Sequence, residues 1–438
     1  MPEQKNHSEQ DVGARRILAL ALPALGVLAA NPLYLLLDTA VVGRLGTAEL
    51  AALAAGTAVQ STVTTQLTFL SYGTTARASR LFGAGRREAA VAEGVQASWV
   101  AVFVGLALAA VVWVFAPVVA GALTAEGATT ALAVSWMRVA VLAIPLTLLI
   151  MAGNGWLRAV QNTRLPFLLT LCGLVPGAAA LPVFVARFGL VGSAAANVLG
   201  MGITALLFVT VLAREHRGSW APRWEVMKQQ IVLGRDLIVR SASFQVSFLA
   251  AAAVAGRFGV ATLAAHQVML QLWNFLTLVL DSLAIAAQTL TGSALGRGSV
   301  DQARRVGGLV TRYSLLFACA LAVVFALFGG PIRRVFTTDT AVLDAMAVPW
   351  WLLVAMIVTG GVVFALDGVL LGAGDAAFLR TLTVGSVLGG FLPLVLAAHF
   401  LGWGLAGIWA GHVVSVVLRL VGVVTRFRSM KWARVGEL

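Results

Sequence analysis

Three carboxylates stand inside or at the ends of long apolar runs: Asp38 after PLYLLL, Asp281 in QLWNFLTLVLDSLAIAA, and Asp367 at the head of DGVLLGAGD. An ionised side chain in the middle of a lipid bilayer costs roughly 2.5–3.5 kcal/mol on insertion scales. Its presence there asks for a use. A carboxylate withdrawn from water holds a proton more tightly, which makes reversible protonation near neutral pH available to it. Left ionised, it can hold a cation. Asp38 suits proton loading, and Pro23 and Pro32 before it permit a bend in its helix. Its alternative is a structural pair with Arg44. Asp281 could receive a cationic substrate or a second proton, or form a buried pair with a basic residue. Asp367 could equally cap or anchor the loop that follows it.

Uncharged polar groups join these candidates. Gln60 and Thr64 stand among Ser61, Thr62, Thr65 and Gln66, and Asn197 lies among small residues. Asn274, Thr277 and Asp281 fall at i, i+3 and i+7, one face of a helix. In a membrane such a face must look at protein or water. Asn154 could hydrogen-bond Asp38, coordinate a cation, or only join helices. The set Asn154, Asn197, Gln60, Thr64, Asn274, Asp281 and Asp367 is therefore read as lining a substrate cavity.

The elements that must position these residues are membrane helices. Of 438 residues, 60% are hydrophobic and 11% charged, with a mean hydropathy of +0.92, whereas soluble proteins carry about 25% charged residues. A spanning helix needs about 20 apolar residues. Twelve segments qualify, near 17–37, 52–76, 95–119, 131–155, 165–186, 189–213, 235–256, 266–293, 309–329, 346–370, 379–400 and 403–425. Gly402-Trp403-Gly404 divides the last two.

The net charge of +13 would suggest nucleic acid in a soluble protein. Placed on twelve spans with the amino terminus inside, it has another origin. Only Arg44, Arg138, Arg187, Arg257, Arg333 and Arg334 of the 31 Lys and Arg fall on the outer side. That bias fits both termini in the cytoplasm. Residues 1–16 are then a cytoplasmic tail rather than a cleaved signal, and 427–438 a second tail.

The chain also repeats itself at a shift of 213. VGRLGTAELAAL at 42–53 falls on AGRFGVATLAAH at 255–266 with 7 of 12 identities, Gly83 and Gly85 fall on Gly296 and Gly298, and Asn154-Gly155 on Asp367-Gly368. Six spans per repeat return the chain to its starting side, so the halves are parallel repeats related by an axis along the membrane normal. The expected fold is all-α: a six-helix lobe at 17–213, a cytoplasmic linker at 214–230, and a second lobe at 231–426. In such folds the substrate path lies between the halves, and rocking gives alternating access.

Catalytic signatures are missing. There is no GxxxxGK[ST], HExxH or GxSxG; the five histidines are scattered; Cys172 and Cys319 sit alone in apolar runs. The readings against an enzyme and against a cofactor or bound metal rest on this.

LLLDTAVVGRLGTAELAALA (35–54), NGWLRAVQNTRLP (154–166), AHQVMLQLW (265–273), DSLAIAAQTLTGSALGRG (281–298) and DGVLLGAGDAAFLR (367–380) resemble the MATE family of multidrug and toxin extrusion transporters, especially its DinF-like branch. The resemblance runs over essentially the whole chain. It implies a twelve-helix antiporter in the cell membrane, sufficient as a monomer among membrane lipids. Such a protein exports cationic or amphipathic compounds in exchange for H+ or Na+. It places Asp38 at the family's cation-coupling carboxylate. One departure matters: where many members carry Asn and Asp in the fifth span, VPGAAALPVF (175–184) has Gly177 and Leu181. Fewer oxygens near Asp38 favour a proton over Na+. A flippase of lipid-linked intermediates from the same superfamily is the nearest alternative.

Overall fold

The computed structural model describes residues 13–124 and 127–436, and among them every regular element is helical. Ten helices are long and apolar enough to cross a membrane. They are α1 (Ala14–Val42), α3 (Arg87–Leu123), α5 (Arg164–Phe188), α6 (Leu190–Glu215), α7 (Trp224–Arg257), α8 (Val260–Gly296), α9 (Val300–Leu327), α10 (Ala347–Gly372), α11 (Ala376–Leu401) and α12 (Gly404–Arg428). The fourth span, α4, is a pair, Gly127–Ala140 and Ala143–Ala159, bent by 41°. The second, α2, runs from Thr47–Leu67 through Thr68 into Phe69–Gly83. Its Gln- and Thr-rich stretch keeps it from qualifying on hydropathy alone. Two short helices, Gly329–Phe336 and Thr340–Ala345, link α9 to α10. Large apolar side chains such as Leu36, Val118, Leu249 and Phe400 point outward, as lipid-facing surfaces require.

The twelve spans thus coincide with the expected ones, with longer helices. The 37 residues of α3 reach about 55 Å, because amphipathic turns prolong the apolar run. The linker is shorter than its composition implies: α6 continues to Glu215 and α7 begins at Trp224, leaving 216–223 outside helices. Gly402 takes a left-handed conformation (φ 70°) and ends α11, as a helix stop between two spans demands. The expected amino-terminal tail lies largely outside the described residues. The carboxyl-terminal segment is no loose tail. Trp432 stacks on Phe427 with ring centroids 5.5 Å apart, and Arg80 of α2 donates to the carbonyls of Arg434 and Gly436, both at 2.8 Å.

The duplication is visible in the packing. A Cβ on Gly83 would stand 2.0 Å from the carbonyl oxygen of Ser293; one on Gly296 would stand 2.0 Å from that of Arg80. These are the same contact seen from each lobe, because 83 and 80 map onto 296 and 293 at the shift of 213. Within each lobe the pattern repeats: a Cβ on Gly155 would crowd the carbonyl of Ser71, and one on Gly368 that of Ala284. Only glycine admits backbones this close.

Hydrogen bonds between the lobes cluster at this crossing, in the half that carries the basic loops. Arg80 also donates to the carbonyl of Ala373 at 2.6 Å, and Gln230 of α7 donates to Glu93 of α3 at 2.8 Å. Gly83→Ala and Gly296→Ala should each lower thermal stability in detergent, by about 1–3 kcal/mol of overpacking. Gly308→Ala, with open space around it, should not. Equal melting temperatures for all three would show that the crossing is not tightly packed.

Candidate functional site

On α1, Asn31, Tyr34 and Asp38 recur at helical spacing and share one face. Asp38 is 2% exposed. Its Oδ1 has no hydrogen-bond partner, and Ser193 of α6 is its polar neighbour. Ser193 in turn accepts from the Trp136 indole at 3.2 Å. The structural pairing with Arg44 is not formed: among the described residues no basic side chain reaches Asp38. The α5 side is apolar. Leu181 is fully buried, and Gly177 packs against Gly200 of α6.

One turn below Asp38, Tyr34 opens onto a cavity of about 410 Å³ walled by α1, α2, α4, α5 and α6 of the amino-terminal lobe, with Leu278 of α8 added from the other lobe. Gln60, Thr64, Asn154 and Asn197 line it, together with Asn31 and Arg158. The Oδ1 atoms of Asn154 and Asn197 and the hydroxyl of Tyr34 are buried without partners. Asp38 is not part of the lining. It lies behind the cavity, at the buried end of the α1 face.

The other two carboxylates sit elsewhere. A second cavity of about 140 Å³, walled by α2, α7, α8 and α10, holds Asp281 and Asp367. Tyr72 lines both cavities and donates its hydroxyl to Asp281. Asp367 accepts from Arg419 at 2.6 Å and from Arg240. Arg419 lies over the Phe244 ring, 4.9 Å from its centroid. Asp367 therefore holds two arginines of α7 and α12, and does not cap the following loop.

Two expectations need correction. The residues read as one lining set divide between two cavities, and Asn274 lines neither: it is exposed, its carbonyl taken by the Thr277 hydroxyl at 2.7 Å. The helical face of α8 was right in register, but of its three residues only Asp281 lines a cavity. Nor are all histidines scattered. His266 and His412 stack in the carboxyl-terminal lobe, 6.5 Å between centroids and 9° between planes.

Sequence reasoning missed Tyr34, Tyr72 and three inward-turned arginines, Arg158 and Arg419 buried and Arg240 partly so. Arg158, Arg240 and Arg419 are counted as cytoplasmic charges when only span ends are considered. Arg158 lies four residues beyond Asn154 on the same helix face, and Tyr34 four before Asp38. That spacing was the available signal.

With this geometry in place, relatives can be compared. The chain is 29% identical to Protein DETOXIFICATION 44, chloroplastic, of Arabidopsis thaliana, covering 98% of this chain and 86% of that one. It is 25% identical to multidrug resistance protein MdtK of Yersinia pseudotuberculosis, with 96% of each chain covered. The probable multidrug resistance protein NorM of Thermotoga maritima is 23% identical, with 97% and 94% covered. Among solved structures, a crystallised MATE in its bent conformation superposes with a TM-score of 0.88 at 21% identity, over 95% of this chain and 96% of that one. A MOP superfamily transporter from Pyrococcus furiosus gives 0.85 at 21%, over 95% and 96%. The MatE family profile matches residues 23–183 and 237–396, one block in each lobe, and the chain belongs to the MatE family of membrane transporters.

Proposed function

We propose that this protein is a multidrug efflux antiporter of a plasma membrane, exporting amphipathic organic molecules in exchange for inward H+ by alternating access. The observation that carries the reading is Asp38: a carboxylate buried behind a solute-sized cavity, with no cationic partner and one unpartnered oxygen. Burying an ionised carboxylate alone is costly, so the buried state is the protonated one. Wetting the site on the other side of the cycle lets the proton leave. Tyr34 stands between Asp38 and the cavity, placed to sense which state the carboxylate is in. Pro32, between Asn31 and Tyr34, breaks the backbone ladder of α1 there and allows the helix to bend.

Na+ coupling is the less well supported alternative. A hard cation needs several oxygen ligands, whereas Gly177 and Leu181 bring none from α5, and among the described residues no group of three acidic, His or Cys side chains could hold a metal ion. The names of the bacterial relatives support drug export. A single chain supplies both lobes and every wall of the large cavity, so a monomer is sufficient. The lobes joined at the basic side represent one end state of the rocking motion.

Two measurements test this. In proteoliposomes, export of a fluorescent amphipathic dye should follow an imposed pH gradient without Na+, and Asp38→Asn should abolish the pH-driven part while leaving the protein folded. Export driven by Na+ alone would sink the proton reading; no export under either gradient would move a lipid-intermediate flippase forward. Asp367, in contrast, acts through stability. Asp367→Asn leaves Arg240 and Arg419 without their shared anion and should destabilise by about 3–5 kcal/mol, and adding Arg419→Met should recover part of that loss. Unchanged melting of Asp367→Asn would show that the pairing carries no stability.

A further inference from the structure

Three arginines and two carboxylates share the buried centre of the molecule. Arg240 and Arg419 both spend their charge on Asp367, and Asp281 is hydrogen-bonded by Tyr72. Arg158 is 4% exposed and donates to the Ser71 hydroxyl at 3.3 Å; Asp281 acts on it electrostatically, and among the described residues no carboxylate lies within ion-pair distance of it. With both carboxylates ionised, the cluster as a whole carries one positive charge too many. Arg158 is the arginine of the three that lines the 410 Å³ cavity, and none of the described lining side chains there is a carboxylate. An unneutralised cation away from water is among the costliest arrangements a protein can hold. An anion delivered by the ligand removes the cost.

The rest of the cavity is built for such a ligand. Asn154, one turn from Arg158 on α4, is 5% exposed with its Oδ1 unpartnered, so its amide is free to turn either end towards a bound group. Guanidinium groups are suited to planar, two-pronged recognition of carboxylate and related anions. Away from Arg158 the walls are apolar, with Leu28, Met151, Leu174 and Leu278. We propose that this cavity takes an amphipathic organic monoanion, its carboxylate or sulfonate on Arg158 and Asn154 and its apolar body against these side chains. This reverses the cationic cargo expected from the intramembrane carboxylates, which the structure places outside the cavity. The assignment rests on the efflux reading only in taking this cavity as the transport site; binding itself is measurable without transport.

The test is equilibrium binding of radiolabelled naphthaleneacetate to the purified full chain in a neutral detergent, with its methyl ester and naphthylethylamine as competitors. The carboxylate should bind about tenfold or more tightly than either competitor. Arg158→Gln should lose that preference, and Arg158→Lys should restore part of it. A melting curve matching wild type qualifies each variant. Should Arg158→Gln fail to fold, Asn154→Ala carries the same prediction with a smaller loss. An amine that binds as tightly as the carboxylate, or a folded Arg158→Gln with unchanged preference, would overturn the proposal. Adding phosphatidylglycerol against phosphatidylcholine separates the sources. Displacement of the tracer by the anionic lipid alone, at equimolar amounts, would assign the site to a headgroup and overturn a free organic anion. Anion-selective binding by a protein that exports nothing under either gradient would support this assignment while defeating the efflux reading.

Discussion

No charge can be left bare in a medium without water, and the interior of this protein is organised around that constraint. The aliphatic spans need only reach across the bilayer, and their backbones are satisfied within each helix. The ionisable groups are different. Asp367 is held by two arginines from two other helices, Glu93 by Arg77 and Gln230, and Asp281 by a tyrosine from the opposite lobe. These bonds fix which helices must be neighbours far more narrowly than apolar packing does. Asp38, Arg158 and Arg80 are buried without an ion pair among the described residues. Arg80 is satisfied by three backbone carbonyls, whereas Arg158 lines the large cavity and Asp38 lies behind it, where a mobile ion can enter the account.

The two lobes share a backbone plan and divide the chemistry. The glycine crossing at Gly83 and Gly296 is reciprocal, so the pseudo-two-fold relation is obeyed to the level of single contacts. The polar residues break it. Asp38 corresponds to Ala251, Asn154 to Asp367 and Arg158 to Leu371 at the shift of 213. The carboxyl-terminal lobe keeps its charges paired around a small cavity, and it stacks His266 on His412 where the other lobe has no counterpart. The amino-terminal lobe keeps the open space. Duplication supplied the crossing; divergence left the large cavity almost entirely on one side of it, with only Leu278, among the described residues, contributed by the other lobe.

Much of this was legible in the sequence. Span number, the repeat and the turn at Gly402 follow from apolar run length and from glycine positions, which respond to physics within a few residues of themselves. The site was legible in part. Asp38, Gln60, Thr64, Asn154 and Asn197 are conspicuous because polar groups in lipid need reasons. The arginines were not conspicuous. Arg158 and Arg419 lie within reach of span ends, where a long side chain normally extends to the interface, and only the tertiary packing shows that they turn inward. Asn274 failed for the opposite reason: helical periodicity finds a face, and cannot say whether that face meets protein or opens space. Likewise the pairing of Asp367 with Arg240 and Arg419 joins residues 127 and 52 positions away, beyond any local pattern.

The character of the closed half bears on how the molecule could move. The lobes meet through an apolar core that includes Leu20, Phe69, Leu237 and Leu290, through glycine-flanked backbone contacts, and through a few directed hydrogen bonds: Arg80 to the carbonyls of Ala373, Arg434 and Gly436, Gln230 to Glu93. Side-chain-to-carbonyl bonds of this kind exchange readily for bonds to water once a gap opens, so their net worth is modest, about 0.5–1.5 kcal/mol each for neutral groups and more for charged ones. The apolar part of the interface holds more firmly and, once parted, would expose surface that water does not wet; the polar latches around the close crossing are the part suited to being opened and closed repeatedly. Arg158 is joined through its bond to Ser71 to the same helix, α2, that carries Arg80 and Gly83, so the wall of the cavity and the seam share one element.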